Sequence, residues 1–354
     1  MLVLASSVAG PQPALGDFFR DFTAEWVRGN PNLATSSRYF TGSEQDRLER
    51  QLTPVTAVWR RDRIRLARKG LTELRKFDRS HMTETERVSA ELMDWQLDSV
   101  VREEPFLDFS FPFEQFGGVN VGMVNTLTVA HPKAPVVAQP YPRFREANAA
   151  ASYNAPAPDG SRPGTFQIPL RPERMTKFGL RSLVYHETVP GHHFQIALEM
   201  ENVALPRFRQ IRAFGGISAL SEGWGLYAER LAAESGWYAD DMEGLLGQLD
   251  AELFRARRLV VDTGIHAKHW TRQQAIDYGI EPSEVERYVV NPGQACAYMI
   301  GELKILELRD KARKTLGDRF SFQQFHNAVL GAGTVPLEIL ERQVDAYIRS
   351  AAGR

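Results

Sequence analysis

The stretch His186-Glu187-Thr188-Val189-Pro190-Gly191-His192-His193 is the part of the chain best equipped to hold a metal ion and move a proton. Three of the eight histidines fall within it, and a glutamate follows the first. Imidazole binds zinc through one ring nitrogen, and an adjacent carboxylate can take a proton from water. The nearest known pattern is H-E-x-x-H, in which two histidines one helical turn apart hold Zn2+ and the glutamate is the general base. Here the residue four after His186 is Pro190. On an ideal helix His192 would lie roughly 120° around from His186 and ~9 Å along the axis. His193 would face correctly but stand ~10.5 Å away, a long reach for two Zn–N bonds of ~2.0–2.1 Å. Pro190 has no N–H for the bond back to the His186 carbonyl, and Gly191 can take unusual backbone angles. The pair predicts a bulge or kink, and a bulge of two residues would bring His192 to the place of the second ligand. The competing reading is a helix that ends at Val189-Pro190, with its histidines as ordinary core or surface residues.

Two histidines need a third protein ligand. Glu199 and Glu201 lie further along the same segment and cannot turn back. In "ALSEGWGLYAERL" (219–231), Glu222 sits among Leu220, Gly223 and Gly225, where a solvated charge would be out of place. Buried carboxylates are rare unless paired or bound to metal. The two glycines would let another chain segment come close. A buried ion-pair partner is the alternative for Glu222. Glu229, beside Arg230, is expected at the surface.

The elements that must position these groups read as helices. Residues 53–77 open with Thr53 as expected N-cap and Pro54 at the first helical position. Residues 83–104 open with Thr83 and Glu86 at capping-box spacing and carry Val88, Leu92 and Trp95 on one face. From 105 to 175 the chain is aromatic and broken by Pro and Gly. D-G and P-G turns there precede a strand-like "TFQI". Helical patterning returns near 176 and continues to the end. The fold class is mainly α with a small β-hairpin or edge strand. The expected organisation is an N-terminal helical region (1–130), a Pro-rich linker with the edge strand (131–175), and a helical zinc-binding region (176–354).

With 43 basic and 44 acidic residues, the net charge is −1, which does not favour a nucleic-acid partner. A small peptide or amide is the expected partner. No apolar run approaches the ~20 residues of a membrane span. The single cysteine excludes an intrachain disulfide and a Cys-based zinc site. The N-terminal "MLVLASSVAGPQPALG" lacks the basic start and long apolar stretch of a secretory signal. A cytoplasmic location is expected, with export as the alternative.

"YHETVPGHHFQ", "LSEGWGLYAERL", "RRLVVDTGIHAKHW" and "NPGQACAYMIGELKILELR", in this order, resemble the bacterial domain-of-unknown-function family 885. The resemblance runs from about Tyr153 to the C-terminus, and the N-terminal helices share it. That family is similar to gluzincin metallopeptidases, which implies a zincin-like multi-helical fold. The related enzymes place a Gly-His pair at the second zinc position, which makes His192 the second ligand and leaves His193 behind it or facing substrate. The resemblance implies His186, His192 and Glu222 as zinc ligands and Glu187 as general base. His266 or Tyr298 would donate to the oxyanion. Asp262, one turn before His266, could orient it; a salt bridge to Arg257 or Arg258 is the alternative. Arg258 and Tyr153 are further candidates behind the ligands or toward substrate. His266 and Tyr298 can equally be structural, as can His81, His131, His269 and His326. The helical segment that family members carry before Tyr153-Asn154 is largely missing here. The expectation is zinc-dependent hydrolysis of short peptide or amide bonds. The alternatives are a zinc enzyme acting on another substrate, or a non-catalytic remnant.

Overall fold

A computed structural model describes residues 14–353 apart from 52, 55, 110–134, 147–149, 158, 171–177 and 240. The N-terminal tail and His131 therefore lie outside the described residues, as does most of the aromatic stretch after Phe109.

The first helices are α1 (Leu15–Arg28), α2 (Pro31–Ser37), α3 (Gly42–Glu49), α4 (Ala57–Leu74) and α5 (Glu84–Arg102). The capping box at the start of α5 forms as expected: Thr83 Oγ1 accepts from the Glu86 N–H, and the Glu86 carboxylate accepts from the Thr83 N–H. Its apolar face differs in one position. Val88 and Leu92 are buried, but Trp95 is 44% exposed. The start of α4 also differs. Thr56, not Thr53, is its N-cap. Thr53 instead donates its hydroxyl hydrogen to Asn30 Oδ1, tying the preceding loop to the cap of α2.

Strands β1 (Val137–Pro140), β2 (Ser152–Asn154) and β3 (Thr165–Ile168) form a sheet of order β1-β3-β2. The "TFQI" run is β3. It pairs antiparallel with β2 across the D-G turn and parallel with β1. Opposite pairing places Tyr153 against Phe166.

The second helical stretch comprises α6 (Leu180–Glu187), α7 (His192–Glu201), α8 (Ser218–Glu234), α9 (Met242–Lys268), α10 (Arg272–Asp277), α11 (Pro282–Val290), α12 (Ala297–Leu316), α13 (Phe322–Gly331) and α14 (Leu337–Ala352). A single helical turn at Arg207–Gln210 precedes α8.

Two cores join what the sequence divides at 130 and 176. One packs Phe19, Phe22, Trp26, Leu71 and Leu97 against Phe208 and Phe214, and the Trp26 indole N–H donates to the Ala213 carbonyl. The other packs Val88 and Leu92 of α5 against α8, α12, α13 and α14 through Trp224, Tyr227, Ile305, Leu308 and Val344. The N-terminal helices therefore support α8, the helix that carries Glu222.

α8 and α12 touch backbone to backbone. A Cβ on Gly223 would stand 2.4 Å from the Gly301 Cα, and one on Gly301 would stand 1.8 Å from the Ala219 carbonyl oxygen. Glu199 of α7 is 2% exposed and fully engaged: the Thr334 N–H and hydroxyl donate to it, as does the Arg212 guanidinium. This pins the far end of α7 to the turn before α14.

Candidate metal centre

The histidine motif is split between two helices rather than carried on one bulged helix. α6 ends at Glu187, residues 188–191 form a connection with a cis Val189–Pro190 bond, and α7 begins at His192. The connection folds back tightly on α6. A Cβ on Gly191 would lie 1.9 Å from the His186 carbonyl oxygen and 2.4 Å from that of Tyr185. Only glycine fits there.

This fold-back brings His186, His192 and Glu222 together, with one ligand-type atom from each lying within 4.8 Å of the others. Glu222 Oε2 is 3.5 Å from His186 Nε2 and 3.3 Å from His192 Nε2. Tetrahedral ligands at zinc distances of ~2.0–2.1 Å stand roughly 3.3–3.4 Å apart, so these separations suit one Zn2+. The His186 and His192 rings are 4.7 Å apart and nearly perpendicular. Gly225, one turn after Glu222, leaves room for His186: a Cβ there would meet its ring at 2.6 Å.

The charges around the cluster also fit a cation. Burial alone would lower the His186 pKa, but hydrogen bonds to Glu222 and Glu229 reverse this and push it up to about 10. Burial alone would raise the Glu222 carboxyl; His192 and His186 outweigh it and hold the group far below the usual carboxylate range. Glu187 is 6% exposed, and its Oε2 has no hydrogen-bond partner among the described residues. Its pKa is raised by burial, with the Glu222 charge adding to the effect and His186, His192 and Arg255 opposing it. His192 Nδ1 is likewise buried without a partner among the described residues. Three carboxylates thus surround two imidazoles, an arrangement suited to a divalent cation.

Glu229 is the main correction to the sequence reading. It is 1% exposed, not at the surface. The His186 Nδ1–H donates to its Oε1 at 2.7 Å, and the Ser182 hydroxyl donates to its Oε2. Arg255 Nη2 is 3.7 Å from Oε1. A carboxylate on the far nitrogen of a ligating histidine fixes its tautomer and ring orientation. Glu229 lies seven residues after Glu222, two turns along the same face of α8, and that spacing was its available signal.

The other expected residues divide into two groups. Tyr298 is near: its ring lies 6.2 Å from that of His186. Its hydroxyl accepts from Arg287 Nη2 at 3.3 Å, and the Arg258 guanidinium lies 4.6 Å from its ring centre. Arg258 is 5% exposed and pairs with Glu284, which also pairs with Arg287. His193 is near too. Its Nδ1 shares a 3.0 Å hydrogen bond with the Tyr153 hydroxyl, so β2 lies over the start of α7. Burial lowers the His193 pKa.

His266 and Asp262 are not brought to the cluster. His266 lies eleven residues beyond Arg255 on α9, ~16 Å further along the axis. Its Nε2 is bonded to the Tyr288 carbonyl at 2.9 Å. Asp262 is 3.8 Å from His266 Nε2, too far for a hydrogen bond, and both its oxygens accept from the Gly293 N–H. Among the described residues it forms neither the orienting contact nor an ion pair with Arg257 or Arg258. Among the remaining histidines, His326 is bonded to the Tyr227 hydroxyl, His81 is exposed, and His269 caps α9 with a left-handed backbone.

Residues 121–344 match the model of a family described as "Bacterial protein of unknown function (DUF885)". The chain belongs to this family. Its fold is similar to "the crystal structure of the putative lipoprotein from Colwellia psychrerythraea", with 33% identity and a TM-score of 0.58 over 96% of this chain and 53% of that one. A Shewanella oneidensis protein described as "a putative lipoprotein of unknown function" is 19% identical, with a TM-score of 0.49 over 93% of this chain and 56% of that one. The chain thus spans about half the length of both solved relatives. No curated protein matches it. Among the described residues, no helix is long and apolar enough to cross a membrane.

Proposed function

We propose that this chain is a gluzincin-like zinc hydrolase that cleaves short peptide or amide bonds. The convergence of His186, His192 and Glu222 on one point carries this reading. Held by these three residues, Zn2+ would supply Lewis acidity and bring the pKa of a water toward ~7. Glu187, whose buried Oε2 has no partner among the described residues, takes a proton from the attacking water and returns it to the leaving nitrogen. Glu229 keeps the His186 Nε2 lone pair turned toward the centre by occupying Nδ1. Tyr298 accepts its hydrogen bond from Arg287, which leaves its own hydroxyl hydrogen free for a developing oxyanion. The Arg258 guanidinium on the ring face holds that orientation. His193, backed by Tyr153, forms the wall next to the second ligand. His266 has no part in this scheme.

Two measurements test the reading. Protein purified without added metal should carry or take up one zinc per chain, lost in His192→Ala and kept in His193→Ala. A peptide-library assay should show cleavage that Glu187→Gln abolishes. Failure to bind zinc after reconstitution would refute the reading. Zinc binding without peptide cleavage would point to a non-peptide substrate. A non-catalytic remnant is the second reading, which the absence of both zinc uptake and peptide cleavage would favour. The relatives' description as lipoproteins supports an exported location over the cytoplasmic one, testable by fractionation of expressing cells.

A further inference from the structure

We infer that Trp224 is a positioning residue for the metal centre, acting through the backbone between the two histidine ligands. This rests on the proposed zinc site but adds a residue that the ligand motif does not contain. Trp224 is 1% exposed. Its indole N–H donates to the Pro190 carbonyl at 2.8 Å. Pro190 lies two residues before His192, in the connection that turns α6 into α7. Trp224 itself lies two residues after Glu222 on α8. One hydrogen bond therefore ties the segment between the first two ligands to the helix that carries the third, without touching any ligand atom.

The geometry explains why this tie matters. The other anchors of the connection lie at its ends. The Thr188 N–H and hydroxyl donate to the Val184 carbonyl, the Phe194 N–H reaches the Thr188 carbonyl at 3.3 Å, the Gln195 N–H reaches the Gly191 carbonyl at 3.1 Å, and Gly191 presses on the His186 carbonyl. The amide of Pro190 has no hydrogen to donate, so its carbonyl is the group through which that residue can be held. The indole is itself fixed. It packs in the core formed by α8, α12, α13 and α14, with Tyr227 at 5.5 Å and the His326 ring edge-on at 5.7 Å between centroids. Rigidity of this core is thereby passed to the start of α7, where His192 must stand 3.3 Å from Glu222. Removing the N–H leaves a carbonyl without its partner and lets the connection shift.

The test compares Trp224→Phe with Tyr227→Phe in the full chain. Tyr227→Phe removes a polar group from the same core, the hydroxyl bonded to His326, but nothing that reaches the connection. Zinc affinity is measured by competition with a chromophoric chelator, and the d–d spectrum of the Co2+-loaded protein reports ligand geometry. Trp224→Phe should weaken zinc binding by roughly 10–100-fold and alter the Co2+ spectrum, as loss of groups supporting metal ligands does. Tyr227→Phe should leave both near wild type. Equal affinity in Trp224→Phe and wild type would overturn the inference. So would equal losses in both variants, which would mark general loosening of the core. A wild-type protein that takes up no zinc would remove the underlying site, an outcome distinct from the other two.

Discussion

Glu229 holds His186 from behind: its Oε1 lies 2.7 Å from Nδ1, in a layer where the two side chains are 1% and 3% exposed. Burial alone would raise the Glu229 carboxyl, but Arg255, His186 and Ser182 keep it below the usual range. The group is therefore ionised, and an ionised carboxylate at Nδ1 makes the other ring nitrogen a stronger ligand. Glu229→Gln keeps the size and one acceptor but loses the charge. Zinc affinity should fall by roughly 10–100-fold with the helices intact, read by chelator competition and circular dichroism.

Glu187→Gln separates binding from chemistry. The amide cannot take a proton from water. Zinc content should equal that of wild type, and any hydrolytic rate should drop by about 10²–10⁴-fold. Parallel loss of zinc would show that Glu187 serves the fold or the ligand set instead.

Gly225→Ala tests the crowding at His186. The added methyl would lie 2.6 Å from Cε1 and 2.7 Å from Nε2 of the ring. The ring or α8 must shift. Overpacking of this kind costs about 1–3 kcal/mol, and the displaced Nε2 should cost zinc affinity as well. Thermal unfolding and metal content together check it; an unchanged metal content would mean that the ring has room to move.

Glu302 gives a prediction in pH. It is 1% exposed, and neither carboxyl oxygen has a hydrogen-bond partner among the described residues. Arg230 is 4.0 Å away. Burial pushes its pKa up to about 8; Glu252, Glu229 and Glu234 add to the effect and Arg230 opposes it. The folded-state pKa thus lies above the ordinary value of 4.5. Between these two values the native protein keeps a proton that the unfolded chain has lost. Stability from this group is greatest below about pH 4.5 and falls as pH rises toward about 8. The full loss is on the order of 4 kcal/mol. Denaturant unfolding followed from below the window to above it should show this decline in wild type and a flatter profile in Glu302→Gln. Identical profiles would mean that Glu302 is ionised in the fold throughout.

The helical character of the chain, the capping box at Thr83 and the strand at "TFQI" were legible because each depends on local spacing. The three candidate ligands were legible for a similar reason: His186, His192 and Glu222 stand out by residue type and by their apolar surroundings. The surroundings of those ligands were less so. Glu229 looked solvated because Arg230 follows it, yet successive helical residues face different directions: Glu229 turns inward while Arg230 pairs with Glu234 and Glu252. His266 drew attention as a histidine in a distinctive motif, but its place was set by the length of α9, which carries it away from the cluster. Arg287 and Glu284 reach Tyr298 and Arg258 through tertiary packing of α11 that no local pattern announces.

Because His192 opens its own helix, the distance between the two histidines is decided by where α7 starts and not by helical pitch. The number of residues between them is then a property of a loop, and loops accept changes of length that helices refuse. A search rule that counts residues between metal-binding histidines presumes a continuous helix and passes over this arrangement. A rule written in space, asking which carboxylate can stand within reach of both rings, would find it at any loop length.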